Sequence, residues 1–531
     1  MRAPTRGGQR RRRESYVARS ILFPLAGDRP HRGGRDPAGT PAQASGPEDG
    51  LAGSDLYRNP YSTTLEAAQT LSGQARADAQ LLGSIPSADW FTNGTPEEVR
   101  AAVDEVVSAA EARGEMPVLV AYNLPFRDCA QYSSGGALDT AAYTAWIDGF
   151  AAGIGDRPAT VLLEPDGLGV IPHYETLDGS VEWCQPAEVD PATATPDRFE
   201  QLNYAVDAFE ALEGTDVYLD GTSSAWLNVG EVSDRLVKAG VQDATGFFLN
   251  VSNYQFTANQ VAYGTWISSC IAYATEVAPG DFGTCGNQYW NGGPATDWQG
   301  VGMSNYGEWS ADNPNPALNT SGIDSRYASI LGGLEPSTHF VIDTSRNGIG
   351  PWDHEGRYGT THEDWCNPPD RGAGARPTTT TGIPLVDAFL WIKVPGESDG
   401  QCYRGSEGPL DPERGMQDPP TGQWFAEQAR ELIEFASPEL KPQECHVAWD
   451  AKGKGKAFSA TVTVTSPTPE WTLEYAWRDD QRVNNVSRGT AIQQGVDVTI
   501  ESSAPSVVVS TKGSASEPWL FTVNGGPCTS E

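Results

Sequence analysis

Six short β-rich runs in the middle of the chain share one pattern: each begins with apolar residues and ends with polar ones. Amphipathic helical segments separate these runs, and this alternation is typical of a parallel sheet with crossover helices. The carboxyl ends of parallel strands meet at one mouth of a closed β/α barrel, so the pattern predicts one site built by the whole segment. The runs are 118–124, 160–166, 216–222, 246–252, 340–344 and 389–394, and their polar ends are Tyr122, Asn123, Glu164, Asp166, Asp220, Asn250, Asp343 and Lys393.

The helices between these runs carry clear start signals. Thr95, followed by Pro96 and an acidic first turn, predicts a helix that ends at Gly114. The sequence Thr-Pro-Asp at 195–197 repeats this opening for a helix that runs to Gly214, and residues 422–437 predict the last helix. Any single polar residue at a strand end also fits an ordinary helix cap, and that alternative stays open for each of them taken alone.

The two ends of the chain differ from this α/β segment. Ten arginines lie within the first 36 positions, and residues 1–55 predict a disordered, leader-like segment that matches an export signal poorly. We therefore assign the barrel to residues 56–440. Beyond that, the helical pattern stops and alternating runs follow, which predicts a small all-β sandwich over residues 445–531.

Charge and composition exclude some partners. A net charge of −34 has the wrong sign for a chain that neutralises phosphates, so we expect no nucleic-acid partner. No stretch approaches the roughly 20 apolar residues that span a bilayer, so we expect no membrane partner. Sixteen Trp and eighteen Tyr offer flat aromatic faces, which suit sugars.

The cysteines form an even set without a CxxC pair, and the six His are scattered without a ligand motif. This pattern favours disulfides over a metal site, so we expect no metal, no cofactor and a secreted, extracellular protein. Buried free thiols remain the alternative. The eight residues are Cys129, Cys184, Cys270, Cys285, Cys366, Cys402, Cys445 and Cys528.

Two aspartates that follow β-rich runs suggest acid catalysis. Cleaving an acetal needs a carboxylic acid that is still protonated at working pH, and a second carboxylate nearby raises its pKa. Asp166 in LLEPDGLG and Asp128 in AYNLPFRDCAQYSSGG would form such a pair at the barrel mouth. Asp399 in WIKVPGESDGQC follows the last run and would face the same cleft.

Long, ordered motifs extend this interpretation. Beside the three just quoted, the chain contains YLDGTSSAW, FFLNVSNYQ, HFVIDTSRNGIGPW and WCNPPDRGAGARPT. Residues 56–440 thereby resemble glycoside hydrolase family 6, the inverting cellulases. The resemblance implies a distorted, TIM-like barrel of seven parallel strands, with an early strand near residues 88–91. It also implies that the partners are cellulose and cello-oligosaccharides, and we expect a monomer.

The resemblance implies a role for each matching residue. Asp166 matches the general acid, and Asp128 matches the aspartate that keeps this acid protonated. Asp399 matches the aspartate debated as the base. Tyr122 lies beside the distorted sugar in the family, and Ser134 helps to hold water on a mobile loop. The substrate-binding candidates are Trp90, Asp220, Trp226, Asn250, Trp365, Lys393 and Glu397. Asp220 as a buried partner of a basic residue, and Trp226 as a core residue, remain alternatives.

Two positions depart from the family pattern. Ser223 stands where many relatives have a histidine that contacts a sugar hydroxyl, which puts affinity at that subsite in question. Asp370 stands where glycine is usual, and a left-handed backbone there would be strained by a side chain.

The cleavage mode is predicted from an insertion at about residues 255–340, which minimal endo-acting relatives lack. Long ordered loops roof the cleft in exo-acting members, so we expect a cellobiohydrolase that releases cellobiose from the non-reducing end. The alternatives are an endo-β-1,4-glucanase of the same family and a non-catalytic polysaccharide-binding protein.

The β tail resembles a degenerate family 2 carbohydrate-binding module. The segments KGKGKAF, NNVSRG and ESSAPS stand where cellulose-binding relatives carry exposed tryptophans, whereas Trp471 and Trp477 resemble core residues. The resemblance also implies two disulfides, Cys129–Cys184 and Cys366–Cys402. Containment within one insertion or one module predicts the other two, Cys270–Cys285 and Cys445–Cys528.

Overall fold

A computed structural model describes residues 50–298, 300–361, 363–406, 408–441, 444–453, 456–477, 481–515, 518–524 and 526–530. Most of the segment expected to be leader-like, residues 1–49, lies outside this described part. Among its remaining residues, 50–55, Ala52, Gly53 and Asp55 are exposed, whereas Leu51 packs against the barrel. Leu51 is buried in the barrel interior, and its amide donates to Asp216 Oδ2 at 2.6 Å.

Seven parallel strands form one sheet whose order follows the chain from β1 to β7. The two outer strands approach each other where the Ala88 amide donates to the Trp391 carbonyl oxygen at 2.9 Å. The predicted distorted seven-stranded parallel barrel, followed by a β-sandwich, is confirmed. The strands are β1 Asp89–Phe91, β2 Val118–Ala121, β3 Ala159–Leu163, β4 Thr215–Asp220, β5 Gly246–Leu249, β6 His339–Asp343 and β7 Val386–Leu390.

Alternate residues of each strand pack into different cores. Val118 and Val120 of β2 point into the barrel interior, while Leu119 and Ala121 pack against the surrounding helices. All four are buried, because a parallel strand covered on both faces must be apolar throughout. This explains why the strands appear in the sequence as continuous apolar runs.

Nine α-helices are present in the described residues. The capping box predicted at Thr95 forms: its side chain accepts from the Glu98 amide, and Glu98 accepts from the Thr95 amide. The helices are α1 Thr63–Thr70, α2 Gly73–Gly83, α3 Pro96–Glu111, α4 Thr140–Ile154, α5 Ala194–Glu210, α6 Val229–Lys238, α7 Thr257–Ala272, α8 Ser321–Leu331 and α9 Ala426–Glu434. None of them is both long and apolar enough to cross a membrane.

The C-terminal segment folds into two five-stranded sheets around its own core. Trp471 and Trp477 are buried in this core, as predicted. Trp449 packs on the rings of Tyr475 and Trp477. The strands are β8 His446–Gly453, β9 Ala457–Thr465, β10 Trp471–Ala476, β11 Arg482–Val486, β12 Thr490–Gln494, β13 Asp497–Ser502, β14 Ser506–Lys512, β15 Trp519–Val523, β16 Gly526–Pro527 and β17 Thr529–Ser530.

All eight cysteines form disulfides, and the four predicted pairs are confirmed. Cys129–Cys184 joins the loops that follow β2 and β3. Cys366–Cys402 joins the loop after β6 to the loop after β7. Both therefore restrain loops at the carboxyl ends of the strands.

Candidate active site

A cavity of about 700 Å³ opens at the carboxyl ends of the parallel strands. Ten of the twelve predicted catalytic and substrate-binding residues line it: Tyr122, Asp128, Ser134, Asp166, Asp399, Trp90, Trp226, Trp365, Lys393 and Glu397. Asp220 and Asn250 are not among its lining residues. The described residues contain no group of His, Cys, Asp or Glu that would hold a metal ion.

The strand ends that build the site have unusual backbone conformations. Asp128, Glu164, Asp166 and Thr222 all have positive φ angles between 55° and 63°. Such angles disfavour side chains other than glycine, so the surrounding contacts must hold them in place. This clustering is typical of a site where side-chain direction outweighs local backbone preference.

Glu164 fixes the geometry between β2 and β3, although its role was missed in the sequence. The carboxylate is buried and accepts from the amides of Asn123 and Leu124 at 2.9–3.1 Å. Burial raises the pKa of Glu164 to about 7, against these amides, which favour the charged form. Glu164 thus connects the loop that carries Asp128 to the loop that carries Asp166.

Asp166 has the environment that a general acid needs. Burial raises its pKa well above the ordinary value, and the charges of Asp220 and Asp128 raise it further. Lys393 acts in the opposite direction. The expectation that Asp128 is the main neighbour of Asp166 is thus refined, because Asp220 exerts the larger charge effect.

Asp220 lies buried behind the cavity wall. Its Oδ1 accepts from the Thr222 amide at 2.9 Å, while Oδ2 has no hydrogen-bond partner in the described structure. Burial raises the pKa of Asp220 to about 7. Asn250 is also buried, and its amide donates to the carbonyl oxygens of Asp343 and Gln255. The structure thus places Asn250 in contact with the backbone rather than in the cavity.

Asp128 is held in place by its own loop. The Ser133 amide donates to Asp128 Oδ2 at 2.8 Å, and burial raises the pKa of Asp128 against this bond and against Arg127. The Arg127 guanidinium lies 4.4 Å from the ring centre of Tyr122 and donates to the Tyr122 carbonyl oxygen. Arg127 is a cavity residue that was not predicted, although it directly precedes Asp128 in the sequence.

Asp399 is an ion-paired carboxylate. Arg346 Nη1 lies 2.9 and 2.8 Å from its two oxygens, and the Tyr254 hydroxyl and the Asn367 amide donate to Oδ2. Burial alone would raise the pKa of Asp399, but Arg346 and Lys393 outweigh it and lower the pKa. Asp399 is therefore a weak base in this arrangement.

Aromatic and polar residues complete the cavity wall. Trp90 donates from its indole nitrogen to the Ile392 carbonyl oxygen at 2.8 Å and packs edge-on to Tyr122. Glu397 accepts from the Thr63 hydroxyl. Lys393 Nζ lies 3.9 Å from Asp399 Oδ1. These contacts hold polar groups beside exposed ring faces, an arrangement suited to sugars.

Ser223 and Asp370, the two residues that depart from the family pattern, lie in different environments. Ser223 lines the cavity, and its hydroxyl has no hydrogen-bond partner in the described structure. The neighbouring Trp226 also lines the cavity, and its ring packs so tightly on Gly169 that a Cβ there would lie 2.6 Å from it. Asp370 has φ 57°, so the expected left-handed backbone is present.

Two loops that line the cavity also contact each other. Thr421 Oγ1 donates to the Tyr132 carbonyl oxygen at 2.8 Å, which joins the loop after β7 to the loop after β2. The Tyr132 ring lies so close to Gly400 that a Cβ there would approach within 2.7 Å, and Gly400 has φ 148°. Only glycine allows this approach. Tyr132 and Thr421 were not predicted, since they are 289 residues apart in the sequence.

The insertion at residues 255–340 does not roof the cavity in the way the sequence suggested. Among the described residues of this segment, only Gln255 lines the cavity. The loops that carry Tyr132 and Thr421 are instead joined at the cavity wall, where Thr421 also donates to the Asp399 carbonyl oxygen.

The chain is similar to known proteins over most of its length. The model of the glycosyl hydrolases family 6 matches residues 51–436. The chain is 29% identical over 467 residues to endoglucanase A of Thermobispora bispora, covering 84% of this chain and 83% of that protein. It is 28% identical over 417 residues to the probable 1,4-beta-D-glucan cellobiohydrolase C of Aspergillus terreus, covering 73% and 75%.

A solved structure is also similar. The endoglucanase Cel6 from Mycobacterium tuberculosis, in complex with methyl-cellobiosyl-4-deoxy-4-thio-beta-D-cellobioside, superimposes with a TM-score of 0.50 at 31% sequence identity. The match covers 73% of this chain and 99% of that chain.

Proposed function

The chain belongs to the glycosyl hydrolases family 6, and from this premise we propose that it is a secreted, monomeric cellulase that hydrolyses β-1,4-glucosidic bonds with inversion. The observation that carries the proposal is Asp166, a buried carboxyl in a sugar-sized cavity whose pKa is raised well above its ordinary value. A carboxyl whose pKa is raised in this way keeps its proton to higher pH than an ordinary aspartate, and it can donate this proton to a departing glycosidic oxygen.

Inversion requires water to attack from the face opposite Asp166. The low pKa of Asp399 makes it a poor acceptor for a proton from this water, because Arg346 and Lys393 stabilise its charge. We assign Asp399 to charge stabilisation, as a fixed anion near the oxocarbenium-like transition state. The proton of the water then passes toward Asp128, whose carboxylate lines the same cavity.

The loop contact between Tyr132 and Thr421 favours exo action with release of cellobiose. Joined loops beside the cavity hinder entry of the middle of a chain more than entry of a chain end. Endo action remains the second candidate, since the Thermobispora and Mycobacterium relatives are named endoglucanases.

The product profile on cellohexaose tests both mode and mechanism. Exo action with inversion gives mainly cellobiose, and its newly formed reducing end has the α configuration. Release of reducing sugar from carboxymethylcellulose with little loss of viscosity supports exo action. A rapid loss of viscosity contradicts it and supports an endoglucanase.

A non-catalytic polysaccharide-binding protein is the candidate from another class. The environment of Asp166 argues against it, because a binding site has no need for a carboxyl with a raised pKa. Purified protein that adsorbs to swollen cellulose without releasing soluble sugar would establish this alternative. Identification of the chain in culture medium by mass spectrometry tests secretion.

A further inference from the structure

The insertion at residues 255–340 presents exposed aromatic rings, one of which contacts the cavity wall. Tyr289 and Trp290 lie in this segment with 51% and 45% of their surface exposed. Tyr289 is not a cavity-lining residue, but its hydroxyl donates to the carbonyl oxygen of the lining residue Trp226 at 2.6 Å. An exposed aromatic ring thus lies next to the cavity wall.

The backbone around Tyr289 is firmly anchored. The side chain of the preceding residue, Gln288, is buried and donates to the carbonyl oxygens of Ser224 and Leu227 at 3.2 and 2.9 Å. The Cys270–Cys285 disulfide restrains the chain just before this point. An exposed ring on a rigid backbone loses little conformational entropy when it binds a ligand.

A second exposed ring lines the cavity wall. Trp183 lines the cavity with 54% of its surface exposed. Glu182, its neighbour in the chain, pairs with Arg235, which also donates to the Leu168 carbonyl oxygen. Leu168 directly precedes Gly169, on which the Trp226 ring packs. Trp183 and Trp226 are thus connected through the cavity wall, and Tyr289 bonds to Trp226.

We propose that Tyr289 forms an outer glucosyl subsite, through which the insertion binds a cellulose chain where it extends past Trp226. This inference rests on the proposed cellulase function and names a further binding residue for it. Glucosyl units present apolar faces that stack on aromatic rings, and continuity with the Trp226 wall places the next units near Tyr289. The hydrogen bond from the Tyr289 hydroxyl to the Trp226 carbonyl oxygen helps to hold the ring beside the cavity wall.

Kinetics on substrates of different length test the proposal. Tyr289→Ala should raise KM for cellohexaose about three- to tenfold, the effect of losing one aromatic contact. It should leave KM for cellotriose unchanged, because a short chain bound at the catalytic centre does not reach Tyr289. Tyr289→Phe keeps the ring on a backbone that Gln288 still anchors, so it should raise KM for cellohexaose less than Tyr289→Ala does. Tyr204→Ala is the matched control, since Tyr204 is another exposed tyrosine with a 2.6 Å hydroxyl bond, to Asp148 on the barrel exterior.

Three results would overturn the subsite. Equal KM values for Tyr289→Ala and wild type on cellohexaose would show that the ring contacts no sugar. A Phe variant as impaired as the Ala variant would assign the effect to the hydroxyl bond that positions Trp226. Equal impairment on cellotriose and cellohexaose would indicate a disturbed catalytic centre. Inactivity of the wild type on every glucan would instead refute the proposed function.

Discussion

At the scale of single residues, the proposed chemistry depends on one carboxyl whose pKa is raised and one whose pKa is lowered. Burial and the charges of three neighbouring aspartates raise the pKa of Asp166, whereas Arg346 and Lys393 lower the pKa of Asp399. The two groups line the same cavity. Their environments push their pKa values in opposite directions, which separates an acid from a fixed anion in one site.

Asp166→Ala should abolish hydrolysis of unactivated glucans, because the departing sugar alcohol then leaves without a proton. A substrate with an activated leaving group, such as a dinitrophenyl cellobioside, needs no proton and should retain substantial activity. Comparing kcat on both substrates measures the difference. Equal losses on both would remove Asp166 from the acid role.

Asp220→Asn should move the alkaline limb of the pH–rate profile to lower pH. The acid works only while Asp166 is protonated, so activity falls as pH rises through its pKa. Removing the negative charge of Asp220 lowers the pKa of Asp166, and the fall therefore begins at lower pH. Asparagine keeps the oxygen that accepts from Thr222.

Asp128→Asn is the matched comparison for Asp220→Asn. Its effect on the limb should have the same direction but be smaller, since Asp128 raises the pKa of Asp166 less than Asp220 does. An unmoved alkaline limb in both variants would contradict this account of the acid.

At the scale of elements, the strands were predictable and the loop contacts were not. The apolar runs predicted six of the seven strands because a sheet covered on both faces leaves a local signal in the sequence, while the strand near residues 88–91 came from the family resemblance. The polar ends of the strands marked the site because the carboxyl ends of parallel strands meet at one mouth of the barrel. The pairing of Tyr132 with Thr421 joins residues far apart in the chain, and no local pattern encodes it. Arg346 was likewise missed as the partner of Asp399.

Removing the Cys366–Cys402 bridge should increase the share of bonds that the enzyme cleaves in the interior of cellulose chains. The bridge restrains the loop that carries Asp399 and contacts Tyr132, and a native disulfide stabilises by roughly 2–4 kcal/mol. We expect the double variant Cys366→Ser/Cys402→Ser to cause a larger loss of carboxymethylcellulose viscosity for each reducing end released. This ratio does not depend on how much total activity survives.

The Cys445→Ser/Cys528→Ser variant is the control for that measurement, because its bridge lies in the β-sandwich. Its ratio of viscosity loss to reducing ends should match the wild type. An unchanged ratio in the Cys366→Ser/Cys402→Ser variant would show that the loop contact does not determine the cleavage mode.

At the scale of the whole molecule, the sandwich contacts the barrel at the end away from the cavity. Arg113 lies between α3 and β2, just before the strand begins, and pairs with Asp497 of β13 at 3.1 Å. The cavity opens at the opposite, carboxyl ends of the strands. A module held there is poorly placed to deliver a cellulose surface to the active site, and we infer a supporting role for it.

Deleting residues 444–531 should therefore leave kcat and KM on soluble cello-oligosaccharides unchanged and lower the Tm. Adsorption to microcrystalline cellulose should change only slightly, because the tryptophans of the described sandwich core, Trp471 and Trp477, are buried and offer no flat face. Asp497→Asn in the full chain is the milder comparison: it breaks a half-buried ion pair worth about 1 kcal/mol or less, so its Tm should fall less than that of the deletion. Saturable micromolar binding of the isolated sandwich to cellulose would instead assign it a substrate-binding role, and a deletion variant with unchanged Tm would exclude support of the barrel.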